Sequence, residues 1–130
     1  GKPYSSFLGQ NRKQRDFDDI SIEISMPREQ LYDNINKRVD IMMKKGLLAE
    51  AKVLHPHQHI NALKTVGYRE LFRYFNEEQS LEEAVADIKT NTRRFAKRQL
   101  TWLRNHPCVH KVPYDTTVNT DLVRQLGLEI

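Results

Sequence analysis

Residues 80–105, SLEEAVADIKTNTRRFAKRQLTWLRN, predict one long helix, and the rest of the chain is organised around it. Ser80 and Glu83 show the S-x-x-E pattern of a capping box at its start. Residues at helical spacing predict its buried stripe: Leu81, Ala84 or Val85, Ile88, Thr92, Phe95 or Ala96, and Leu103. The helix is therefore expected over about 81–105.

The second half of this helix is basic, and no acidic residue occurs between Thr92 and Arg104. Its cations follow two neighbouring lines, Arg93, Lys97 and Arg104 (with Thr101) in one, and Arg94 and Arg98 in the other. A solvated helix end needs cations only in the last turn. Two full lines therefore favour contact with phosphates over a merely solvated helix end, and Phe95 and Trp102 add aromatic faces for bases.

A second helix is predicted over residues 28–45, with Ser25 as its capping hydroxyl and Pro27 in the first turn. An apolar stripe runs along it, and Gly46 suits the position after its end. Arg38 lies at the edge of this stripe, where a guanidinium needs an anionic partner. Spacing alone favours an internal ion pair but leaves a phosphate ligand open.

Two short strands accompany the helices. Residues 20–25, ISIEIS, alternate apolar and polar side chains and predict a strand that needs a partner, and residues 109–112, VHKV, predict another. Residues 47–54 predict a short helix and residues 117–126 a surface helix, and the polar residues 1–19 predict a loop or a short helix joined to a linker.

The segment NALKTVGYRE, at residues 61–70, carries a glycine among hydrogen-bond donors. Gly67 predicts a break between two short helices or a close backbone approach. Either the segment is a turn with Tyr68 packed on the core, or it holds phosphate or ribose. The nearby HPHQH alternates three histidines, but Pro56 favours a loop, and no carboxylate or cysteine accompanies them at a familiar metal spacing.

The chain has 130 residues and a net charge of +4, which suits one basic domain. Cys108 is its only cysteine, so no intrachain disulfide forms. No phosphate-cradling loop or complete catalytic constellation is found, and no apolar run could span a membrane. Because residue 1 is Gly and not Met, we expect the interior of a longer protein. The fold class expected is a mainly α-helical fragment with one or two short strands.

Four segments in order resemble a known family: LYDNINKRVDIM at 31–42, KTVGYRE at 64–70, SLEEA at 80–84 and TRRFAKRQLTWLR at 92–104. Together they are similar to the C-terminal third to half of tRNA dimethylallyltransferases, also called tRNA isopentenylpyrophosphate transferases. The similarity covers about residues 1–112 and fades towards the C-terminus.

The resemblance implies transfer of a dimethylallyl group from its diphosphate to N6 of the adenosine 3′ of the anticodon. It implies Mg²⁺ in the full-length enzyme, a P-loop NTPase-like α/β core, an inserted helical domain and a flipped adenosine. The phosphate-binding loop and general base would lie outside this chain, so we expect an inactive C-terminal fragment with no cofactor of its own. Residues 1–19 would be a linker or the end of the inserted domain. Residues 20–130 would form the C-terminal part of the core with tRNA-contacting helices.

The resemblance also assigns residues. Arg38 matches the arginine that stabilises the diphosphate leaving group. Two segments match the tRNA contacts: Lys64, Thr65, Val66, Gly67, Tyr68 and Arg69, and Lys97, Arg98, Gln99, Leu100, Thr101, Trp102, Leu103 and Arg104. Asn34 stands where the family often has a second arginine. A single cysteine excludes the zinc finger of some eukaryotic relatives, which suggests a bacterial type.

Three functions are compatible with these observations. The first is a cytoplasmic, monomeric tRNA-modifying enzyme whose partners are the tRNA anticodon stem-loop and dimethylallyl diphosphate, with no membrane. The second is a free-standing helical RNA-binding module without catalysis. The third is an enzyme that prenylates free adenine nucleotides, against which the basic helix argues. A phosphate-binding loop in the upstream coding sequence would separate the first from the second.

Overall fold

The computed structural model describes Asp16, residues 21–105 and 109–115, Leu122 and Arg124. Strand β1 (Ser21–Ser25) is followed by helices α1 (Arg28–Lys44) and α2 (Leu47–Leu54). Two 3-10 turns, His55–His57 and Asn61–Leu63, lead to α3 (Tyr68–Phe75), α4 (Leu81–Arg104) and strand β2 (Val109–Pro113). The predicted mainly helical architecture is confirmed. The segments predicted at 1–19 and 117–126 lie outside the described residues, apart from the three single positions above.

The capping box at the start of α4 is confirmed. The Ser80 hydroxyl accepts the Glu83 N–H at 3.1 Å, and the Glu83 carboxylate accepts the Ser80 N–H at 2.8 Å. The hydrogen bond from the Ser80 N–H to the carboxylate is the main cause that lowers the pKa of the Glu83 carboxyl. The predicted apolar stripe is buried only in the first half of α4, because Ala84 and Ile88 are buried while Phe95 is 49% exposed.

Of the predictions for the two ends of α1, the one for its C-terminus is confirmed and the one for its N-terminus is wrong. Gly46 follows the C-cap with φ +101°, the left-handed conformation that glycine adopts without strain, as predicted. The prediction for Ser25 is wrong: Ser25 belongs to β1, Pro27 occupies the N-cap, and no side chain caps the helix. The Pro27 carbonyl instead accepts the Leu31 N–H at 2.9 Å.

The four helices enclose one hydrophobic core. Val39 of α1 and the first half of α4 pack against the short helices α2 and α3. The buried residues are Val39, Leu47, Ala51, Leu71, Phe72, Ala84 and Ile88. Burial of these apolar side chains is the main force that holds α3, and with it the turn before α3, against α4.

Strands β1 and β2 pair in parallel, from Ser21 opposite Val109 to Ser25 opposite Pro113. Both predicted strands are thereby confirmed over their described residues, and β2 is the partner that β1 needed. Parallel strands require a crossover connection, and here helices α1 to α4 lie between β1 and β2 in the chain. Glu23 is buried, and its carboxylate lies 3.6 Å from Lys111 Nζ on the neighbouring strand.

Candidate nucleic-acid interface

The turn before α3 depends on an unusual backbone conformation at Gly67. Its φ of +108° and ψ of −66° lie outside the regions that side chains allow. No heavy atom lies within 4 Å of the place where a Cβ would stand, so the backbone and not crowding requires glycine. The Gly67 N–H donates to the Glu70 carboxylate at 2.8 Å. The break predicted at this position is therefore present and is held from within α3.

Glu70 is the anion around which this turn is built. Its side chain is buried, with the residue 1% exposed, and Oε1 accepts from Arg69 Nη2 at 2.9 Å and Asn91 Nδ2 at 2.8 Å. Burial by itself would raise the pKa of the Glu70 carboxyl, but the donors of Gly67, Arg69 and Asn91 outweigh it and leave the pKa lowered. Glu70 therefore carries its charge at neutral pH.

Asn91 links this turn to the basic half of α4. Its amide nitrogen donates to Glu70, and its amide oxygen accepts from Arg94 Nη1 at 3.3 Å. Neither Glu70 nor Asn91 was predicted as a site residue from the sequence. For Glu70 a signal was available, since a glutamate three residues after a helix N-cap accepts the N-cap N–H even when that residue is Gly67.

A cationic cleft of about 360 Å³ lies between the Gly67 turn and α4. It brings together residues from both predicted RNA-contacting segments. Its walls are Lys64, Thr65, Val66, Arg69, Asn91, Phe95 and Arg98. Because Arg69 is paired with buried Glu70, the uncompensated positive charge of the cleft comes from Lys64 and Arg98. Such a cleft suits a phosphate or a nucleotide.

Arg38 lies in a neighbouring cavity of about 520 Å³ that is mostly apolar. Thr65, Val66 and Gly67 line the same cavity, as does Gln99 of α4. Arg38 is exposed, and among the residues that the structure describes no carboxylate lies within 4.0 Å of it. The internal ion pair that its spacing favoured is therefore not found there, and the guanidinium stands open to an anion from outside.

The second predicted segment divides between two surfaces. Arg98 and Gln99 line the clefts beside the Gly67 turn. Leu100, Trp102 and Leu103 line an apolar groove of about 600 Å³ near β1, which shares Gln99 with the cavity of Arg38. Lys97, Thr101 and Arg104 are exposed, and the Thr101 hydroxyl donates to the Lys97 carbonyl at 2.9 Å. The structure therefore brings only part of this segment next to Lys64–Arg69.

One of the predicted basic lines is shorter than expected. Arg93 donates to Asn36 of α1 at 2.6 Å and to Thr90 at 3.0 Å, so its guanidinium holds α1 against α4. Lys97 and Arg104 make no hydrogen bond or ion pair through their charged groups within the described part of the chain. These two cations remain for phosphate contact on that line.

Tyr68 packs against the hydrophobic core, as one of the two alternatives for this segment predicted. Its ring stacks on Phe72, with the two centroids 6.1 Å apart, and its hydroxyl donates to the Glu50 carboxylate of α2. The hydrogen bond to this carboxylate is the main cause that raises the pKa of the Tyr68 phenol. Tyr68 thus fixes the turn to α2 by its side chain.

The histidine segment makes ordinary hydrogen bonds. His55 lies 2.7 Å from the Asn76 side-chain oxygen and packs against Phe72 and Phe75. Over residues 21–105 and 109–115, no three His, Cys, Asp or Glu side chains form a group that could hold a metal ion. In the same ranges, no helix has the length and apolar character needed to cross a bilayer.

The sequence of this chain matches a known protein family. The sequence profile of the family described as IPP transferase matches residues 1–106. A tRNA dimethylallyltransferase of Christiangramia forsetii is 52% identical over 115 residues, which are 88% of this chain and 38% of that protein. One from Flavobacterium psychrophilum is 55% identical over 104 residues, 80% of this chain and 34% of that protein.

Solved structures agree with the sequence relatives. The full-length tRNA isopentenylpyrophosphate transferase of Bacillus halodurans superposes with a TM-score of 0.72 at 39% identity, over 82% of this chain and 36% of its own. A tRNA delta(2)-isopentenylpyrophosphate transferase of Staphylococcus epidermidis gives 0.68 at 36% identity, over 83% of this chain and 35% of its own.

The chain belongs to the IPP transferase family, as the matched profile and the relatives show. This confirms the resemblance noted in the sequence. The chain spans little more than a third of the length of the curated relatives it matches.

Proposed function

We propose that this chain supplies the RNA-holding surface and the leaving-group arginine of a tRNA-modifying prenyltransferase. The relatives carry the name tRNA dimethylallyltransferase, and the chain corresponds to 38% of one of them. We use "the longer protein" for the polypeptide that joins this chain to the remaining part its relatives have. Residues 1–19 would then connect to an inserted helical domain, and residues 20–130 would complete the catalytic core.

The observation that carries this proposal is the shared cavity of Arg38 and the Gly67 turn. Among the described residues, Arg38 has no ion-pair partner. It lines the mostly apolar cavity, or chamber, that Thr65, Val66 and Gly67 also line. An apolar lining suits the hydrocarbon part of dimethylallyl diphosphate, and a guanidinium without a carboxylate partner suits its diphosphate. The cationic cleft next to this chamber suits the phosphates of the RNA that brings the acceptor base.

In the proposed reaction, N6 of an adenine forms a bond to C1 of the dimethylallyl group. The bond from C1 to the diphosphate oxygen breaks, and the diphosphate leaves with the electron pair. Arg38 stabilises the charge that grows on the leaving oxygen, which lowers the barrier more than it strengthens ground-state binding. The proton of N6 passes to a base that we place outside this chain.

We further propose that the Mg²⁺ implied by the family resemblance is bound in the part of the longer protein that lies outside this chain. The proposed contribution of this chain is to bind the anticodon stem-loop, through Lys64–Arg69 and the 97–104 segment, and to hold the leaving group. We further propose a monomeric protein of the cytoplasm.

The proposal is tested by transfer of labelled dimethylallyl from its diphosphate to an anticodon stem-loop. We expect transfer by the longer protein and none by this chain alone. Transfer by the chain alone would refute the division of labour. Salt-dependent RNA binding without any transfer by the longer protein would favour the alternative function, a helical RNA-binding module.

A further inference from the structure

We propose that Phe95 is a stacking platform for an unpaired base of the bound RNA. This inference rests on the proposed function and gives a definite role to one of the two aromatic residues of the basic helix, at a position outside the two segments that the resemblance assigned to tRNA. It concerns an aromatic side chain on α4 between the cationic cleft and the chamber of Arg38.

The first support is the exposure of Phe95. It follows the apolar stripe of α4, yet 49% of its surface is open, whereas Ala84 and Ile88 of the same stripe are buried. Leaving a phenyl ring half in water gives up much of the free energy that burying it would yield. The ring is therefore available as a surface for a ligand that is itself flat and partly apolar.

The second support is the partner of the ring. The Arg98 guanidinium carbon lies 5.5 Å from the centroid of the Phe95 ring, one turn further along α4. This cation–π contact restrains both side chains and places a positive charge over one face of the ring. A nucleotide offers a flat base and a phosphate at comparable spacing, so the pair matches both parts of one nucleotide.

The third support is the position of Phe95 in both cavities. It lines the cationic cleft together with Lys64 and Arg98, and it lines the chamber that holds Arg38 and Gly67. A strand whose phosphates lie in the cleft therefore passes the ring on its way to the chamber. Only an unpaired base can present its face there, because bases in a duplex already stack on their neighbours.

The test compares Phe95→Leu and Phe95→Trp in the longer protein, with two RNA probes. One probe is an anticodon stem-loop with 2-aminopurine in the loop, and the other is a plain duplex of equal length. We expect Phe95→Leu to raise the Kd for the stem-loop about tenfold and to leave duplex binding unchanged. Phe95→Trp should keep the wild-type affinity, because it keeps an aromatic face. The 2-aminopurine fluorescence, which falls on stacking, should fall less in Phe95→Leu.

Thermal stability and salt dependence distinguish base stacking by Phe95 from a role in the core and from phosphate contact. Ile41→Ala removes a side chain of 50% exposure on α1 and serves as the matched control, with wild-type affinity expected. The salt slope of stem-loop binding should be equal in wild type and Phe95→Leu, since the phenyl ring binds no phosphate. Equal stem-loop affinity in Phe95→Leu and wild type would overturn the stacking role and leave the RNA function intact. A fall in thermal stability in both Phe95→Leu and Phe95→Trp would also overturn the stacking role, because the ring would then be a core residue. No stem-loop binding by wild type would overturn both.

Discussion

The backbone N–H of Gly67 and the carboxylate of Glu70 lie 2.8 Å apart, and this hydrogen bond joins a glycine-only turn to a buried charge. The same carboxylate holds Arg69 and Asn91, so one anion orients parts of both candidate RNA-contacting elements. Because three donors converge on it, the geometry of the turn depends on Glu70 being ionised. A stability contribution and a functional contribution are thus expected from the same side chain.

We expect Glu70→Gln to lower the free energy of unfolding by about 2 kcal/mol at pH 7, because an amide cannot satisfy all the converging donors. The pKa of Glu70 is lowered below the ordinary 4.5, so its contribution is full above that pH and is lost as the pH falls through the folded value. Urea unfolding from pH 7 to pH 3 should show the two proteins converging in acid. Glu83→Gln is the control. The Glu83 carboxyl also has a lowered pKa, but it is exposed at the start of α4, so its substitution should lower the free energy of unfolding less. A gap between wild type and Glu70→Gln that stays constant down to pH 3 would contradict the role of the charge.

The two glycines with positive φ should differ in their tolerance to alanine. Gly67→Ala forces a side chain into φ +108° and ψ −66°, and we expect a loss of about 2–3 kcal/mol. Gly46→Ala, at φ +101° and ψ 17°, is closer to the left-handed helical region, and we expect about 1 kcal/mol. Only Gly67→Ala should also weaken binding of the stem-loop. Thermal melts and a binding titration of both variants measure this, and equal losses in both assays would contradict it.

The sequence alone predicted the features that depend on neighbours along the chain. The Ser80–Glu83 cap, the left-handed Gly46 and the two strands follow from local backbone chemistry, and each is confirmed. The parallel pairing of β1 with β2 needed the crossover of four helices, which no local pattern contains.

The candidate site was predicted less completely, because its contacts join distant positions. Asn91 contacts Glu70 across 21 residues of sequence, and Arg93 contacts Asn36 across 57. The charge pattern treated Arg93 as a free cation, since spacing along α4 cannot show which helix packs beside it. The internal ion pair predicted for Arg38 is not found for the same reason. The edge of the α1 stripe where Arg38 lies faces an open cavity, and it faces no carboxylate of the described residues.

Arg38→Ala in the longer protein should lower kcat about a hundredfold and change the KM for tRNA little, because the charge on the leaving oxygen develops only in the transition state. Stability should stay unchanged, since the substitution removes no described hydrogen bond or ion pair. Arg93→Ala is the matched control: it removes the bond to Asn36 and should lower the melting temperature. Steady-state kinetics and melts of both variants test this. An unchanged kcat in Arg38→Ala would return Arg38 to a purely structural role.

Replacement of Lys97 and Arg98 by alanine should weaken stem-loop binding and flatten its dependence on salt. For every phosphate that the protein no longer neutralises, the slope of log Kd against log salt concentration should fall by about 0.7–0.9, since fewer counterions are released. Lys44→Ala with Lys45→Ala removes the same charge at the far end of α1 and should leave the slope unchanged. Titrations between low and moderate salt with both double variants distinguish local contact from overall charge. If both pairs flatten the slope equally, the basic half of α4 acts only through the net charge of the protein, and direct phosphate contact at Lys97 and Arg98 is refuted.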